Sequence, residues 1–119
     1  MRISNNLIFD AINETIFAGI LANSSDSREL NELEKLAIKS FDMVVVNICP
    51  FEKIVSDSSD LDEILSNIDI AGIAILRAGA KNYKNVTVIV DKVDYYVALN
   101  ANDFGRLKLA GKAFYFSAN

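Results

Sequence analysis

Histidine is missing from the 119 residues, and so is tryptophan. Without imidazole, Ser-His-Asp and Cys-His catalysis and the usual histidine metal ligands are out of reach. Cysteine occurs once, as Cys49, so no internal disulfide forms and zinc sites of the common N/S type are excluded. A thiol with no histidine to activate it reads as an inert side chain, and a single cysteine fits a reducing compartment. One proline and five glycines argue against a disordered chain. No apolar run approaches the ~20 residues that span a bilayer. The opening MRISNNLIFD also lacks the apolar stretch of a signal peptide. The expectation is a soluble, cytoplasmic protein with neither cofactor nor metal.

Two further signatures are missing. GIAILRAGAKNYK has no Gly-Lys-Ser/Thr step, so it is no phosphate loop. DSSDLDE (Asp57, Asp60, Asp62, Glu63) lacks the ligand spacing and glycine of a calcium loop and reads as helix capping beside a solvated face.

What is present suits one domain spanning 1–119 with a core of its own. The apolar share of 51% exceeds what a small monomer needs inside, which points to a homo-oligomer. Charge is unevenly spread. Residues 1–75 carry a net −8 and residues 76–119 a net +4, within a chain of net charge −4. If the two parts fold to different sides, the surface is dipolar.

Periodicity predicts an α/β fold. LIFDAINETIF (7–17) spaces isoleucines four apart, as in a short helix. TIFAGILAN is continuously apolar and fits helix or strand equally. SSDSRELNELEKLAIKSF reads as a helix opened by Ser25 or Ser27, with Leu30, Leu33, Leu36, Ala37 and Phe41 on one stripe. DMVVVNICP reads as a buried strand, SDSSDLDEILSNI as a second helix and DIAGIAILRAG as another buried strand. NVTVIV and VDYYVAL alternate as strands around Asp91-Lys92. RLKL and KAFYF alternate around a turn at Ala110-Gly111. The sum is a mixed sheet: strand-helix-strand-helix-strand followed by antiparallel hairpins, with two main helices.

Candidate binding residues follow from the cations. Arg106 and Lys108 stand on one face of the expected hairpin, behind a turn formed by Asn102, Asp103, Phe104 and Gly105. The plain alternative is that these cations cover the wet face of an edge strand. Arg28 sits in the first turn of a helix, where positive charge is disfavoured unless an anion joins it; Ser24, Ser25 and Ser27 would add hydroxyls. The alternative there is an exposed Arg28 paired with Glu32. Tyr83 offers a stacking face, as does one of Tyr95 and Tyr96, unless they pack in the core. The expected ligand-binding set is therefore Ser25, Ser27, Arg28, Tyr83, Asn102, Phe104, Arg106 and Lys108. A small anionic nucleotide suits it better than a long nucleic acid, which a net acidic chain repels.

ILANSSDSRELNELEKLAIKSFD together with NDFGRLKLAGKAFYF resembles the small phage proteins of the Thoeris anti-defence sponge type. The resemblance implies a non-catalytic, oligomeric protein of the host-cell cytoplasm that sequesters cyclic ADP-ribose isomers made by TIR-domain immune enzymes. With no catalytic constellation in view, the expectation is a binder and not an enzyme. The alternative is an acidic inhibitor of immunity or anti-CRISPR type, its first 75 residues covering a basic protein. An enzyme using Asp42 or Asp103 as general base stands third.

Overall fold

Asn13 begins the first helix by accepting a hydrogen bond on its side chain from Ile16 N–H at 2.9 Å. The structure is a computed structural model that describes residues 13–48, 51–57 and 59–118. Helix α1 covers Glu14–Leu21, so the ambiguous TIFAGIL stretch is helical; residues 7–12 of the expected first helix lie outside the described residues. Helix α2, Ser27–Lys35, stands where expected. Its cap is Asp26, whose side chain accepts from Arg28 N–H at 2.9 Å, and not Ser25 or Ser27. The helix stops before the apolar stripe does. Ile38 N–H reaches back to the Leu33 carbonyl at 2.8 Å and Ala37 N–H to Glu34 at 3.0 Å, with Ala37 at φ 54°. This is a left-handed helix end built on alanine where glycine is usual.

Strand β1, Met43–Val45, and strand β2, Thr87–Ile89, fall within the two β-branched runs. They pair in parallel, with Val44 opposite Val88. Between them come helices α3 (Phe51–Asp57), α4 (Leu61–Ser66) and α5 (Ala71–Lys81). This is the strand-helix-strand crossover that parallel pairing requires. Asp60 caps α4 through Asp62 N–H.

Four expected strands are helical instead. DIAGIAILRAG forms α5. Its first turn is tied down by Asp69 Oδ1, which accepts from Gly72 N–H at 2.7 Å. Its small residues let the helix approach the sheet: a Cβ on Gly79 would lie 3.4 Å from Val44 and 3.5 Å from Val88. VDYYVAL forms a short 3-10 turn, Lys92–Asp94, and helix α6, Tyr95–Ala98, started by Asp91 accepting from Val93 N–H. The basic hairpin is one sixteen-residue helix, α7, Asp103–Ala118. Leu109, Ala110 and Ala113 are buried at helical spacing, and no glycine has positive φ, so Ala110-Gly111 makes no turn. Among the described residues the sheet has two parallel strands and no antiparallel pairing. The architecture is α/β but mostly helical.

Helix α5 packs on both strands, and α7 packs along α5 and β2. Val86, Val88 and Val90 meet Leu76, Ala78, Ala110 and Ala113 in the main core, while Ile89 meets Ala98 and Leu109 on the other side. None of the helices among the described residues is long and apolar enough to cross a membrane.

Candidate functional site

The start of α7 folds onto the turn between α5 and β2. Asn102 Oδ1 accepts from Gly105 N–H at 2.8 Å, capping the first turn of the helix. One turn on, the Arg106 guanidinium commits all its nitrogens inside the chain. Its Nε donates to the Tyr83 carbonyl at 3.1 Å, one terminal nitrogen to the Ala101 carbonyl at 3.1 Å, and the other to the Asp103 carboxylate. The planar fork therefore serves as a clamp between sequence-distant backbone segments.

The structure thus brings Tyr83, Asn102 and Arg106 together. Arg106 and Lys108 share no face, because residues two apart on a helix point nearly opposite ways. Lys108 turns outward, its Nζ 4.8 Å from the centroid of the exposed Phe104 ring. Ser25 and Ser27 are exposed in the loop and first turn of α2. The Arg28 side chain is 89% exposed and pairs with Asp26 at 3.5 Å, not with Glu32. No hydrogen bond or ion pair among the described residues links Arg28 to the Arg106 cluster. The Tyr83 ring packs against the main core, Tyr96 is exposed, and Tyr95 is partly so.

A polar chain that was not anticipated lies beside this cluster. Asn82 Nδ2 donates to the carbonyls of Ile20 at 2.8 Å and Ala22 at 2.9 Å, closing the end of α1. Asn82 Oδ1 accepts from Asn85 Nδ2 at 2.9 Å, and Asn85 Oδ1 accepts from Ser24 Oγ at 2.8 Å. Two asparagines three apart after a helical run were the available signal, and reading α5 as a strand hid it.

The opposite end of the sheet carries different chemistry. Ligands of open parallel sheets bind beyond the carboxyl ends of the strands. In the chain, Asn47 and Ile48 follow β1 and Asp91 follows β2 on that side. Lys112 crosses from α7 to the turn after β2, with Nζ 3.0 Å from Asp91 and 2.6 Å from Asp94. The Lys112 ammonium and Val93 N–H hold the Asp91 carboxyl below its ordinary value; Asp94 first, then Asp91, raises Lys112 above its own. Among the described residues, no group of three or more acidic or cysteine side chains is placed to hold a metal ion. Asp69 went unremarked because its pattern, an aspartate three residues before Gly72, matters only once a helix starts there.

No family model matches the chain. It is 44% identical over 110 residues to the bifunctional purine biosynthesis protein PurH of Persephonella marina, covering 87% of this chain and 21% of that protein. It is 40% identical over 111 residues to the PurH of Lactobacillus acidophilus, covering 87% and 22%. It is 45% identical over 85 residues to the PurH of Acetivibrio thermocellus, covering 71% and 16%. The chain thus spans about a fifth of the length of the curated relatives it matches. The crystal structure of ForH superposes with a TM-score of 0.75 at 26% identity, over 92% of this chain and 62% of that one.

These findings overturn the sponge reading. The three relatives named here are purine biosynthesis proteins, and none of them is an anti-defence or phage protein. Expectations of cyclic ADP-ribose sequestration, of an acidic inhibitor and of a non-enzyme fall with it. The relatives support an enzyme-related function. Of the two segments behind the resemblance, NDFGRLKLAGKAFYF was read as a hairpin and is helix α7.

Proposed function

We propose that the chain is a purine-biosynthetic module of PurH type, contributing to an enzyme's chemistry on a purine precursor. The observation that carries this reading is the 44% identity to Persephonella marina PurH maintained across 87% of the chain. The fold is compatible with it. A parallel crossover exposes the carboxyl ends of β1 and β2 beside the first turn of α5, the position at which such folds receive ligands. The polar groups there are Asn47 and Asp69, whose Oδ1 already holds Gly72 N–H, a set suited to hydrogen-bonding the polar edge of a heterocycle.

Replacing the matched stretch of Persephonella marina PurH with this chain, in a bacterium that lacks PurH, tests the proposal. Growth without added purine is the expected result, as is its loss when Asp69→Asn is introduced into the same chimera. A soluble, folded chimera that leaves the cells dependent on purine refutes the reading. Growth that survives Asp69→Asn keeps the purine assignment and removes Asp69 from the site.

A further inference from the structure

We draw no further inference here: the strongest candidate, the Ser24–Asn85–Asn82 side-chain cluster between the end of α1 and the turn before β2, closes on itself and on the carbonyls of Ile20 and Ala22, and nothing in the structure shows a ligand or partner for it.

Discussion

Arg106 Nε donates to the carbonyl oxygen of Tyr83 at 3.1 Å, joining the first turn of α7 to the turn that feeds β2 across 23 residues of sequence. A second guanidinium nitrogen holds the Ala101 carbonyl, so one side chain satisfies two backbone acceptors that no strand or helix serves. Arg106→Ala is expected to destabilise the fold by about 1–3 kcal/mol, the range for losing charge-assisted hydrogen bonds at a partly buried site. Arg106→Lys keeps the charge but not the fork and is expected to recover less than half of that loss. Urea unfolding of the three proteins measures both values. Equal stability of wild type and Arg106→Ala would show the clamp to be dispensable.

The Asp91–Lys112–Asp94 cluster predicts how stability varies with pH. Asp91 titrates below its ordinary 3.8 in the folded protein, so its contribution is present above that value and is lost as pH falls through the lowered folded pKa. Lys112 titrates above its ordinary 10.5, so its contribution is present below that value and is lost as pH rises through the raised folded pKa. Between these limits the cluster adds a pH-independent increment. Lys112→Met is expected to lower Tm by about 3–6 °C at neutral pH, with the difference from wild type shrinking below the carboxylate range. A difference that is unchanged in strong acid would mean that the packing of the Lys112 stem, and not its charge, supplies the effect.

Parts of this fold were legible because local chemistry and tertiary packing agree. In α2 Glu29 stands in the first turn and Lys35 in the last, and in β1 and β2 the β-branched runs pack against α5. The errors occurred where a pattern served two structures. Ala71 to Ala80 is nearly continuous in small and apolar residues, so no period separates a buried helix from a buried strand. From Arg106 to Phe116, strand-like alternation coexists with Leu109, Ala110 and Ala113 at helical spacing, and contact with α5 and β2 decided for the helix. The cations of the candidate site were visible in the chain. Their partners were not, because Arg106 binds backbone carbonyls, which carry no signature in the residue letters. Asp69 and Asn82 became readable only once α5 was known to begin and end beside them.

Ala37 adopts φ 54° at the end of α2, a left-handed conformation that a Cβ makes unfavourable. The hydrogen bonds from Ile38 to Leu33 and from Ala37 to Glu34 hold it there. Ala37→Gly removes the clash while retaining both bonds. It is expected to stabilise the protein by about 0.5–1 kcal/mol, after the added freedom of glycine in the unfolded chain is deducted. A thermal melt reads the gain directly, and a loss of stability would mean that the Ala37 methyl contributes packing that outweighs the strain.

Two glycines inside helices should respond oppositely to the same methyl group. A Cβ on Gly19 would lie 2.5 Å from the Lys39 carbonyl oxygen and 2.8 Å from the Phe41 ring. That close approach lets the segment before β1 cross α1 and lets Phe41 N–H bond the Gly19 carbonyl at 3.0 Å. Because the obstructing atom is backbone, α1 and the segment must separate, and Gly19→Ala is expected to cost about 2–3 kcal/mol despite its better helix propensity. A Cβ on Gly111 meets nothing within 4 Å, in the middle of α7. Gly111→Ala therefore has only the propensity gain to express, and should stabilise by about 0.5–1 kcal/mol. Denaturant midpoints of the two variants compared with wild type decide the matter, and shifts of the same sign would contradict the placement of one of these helices.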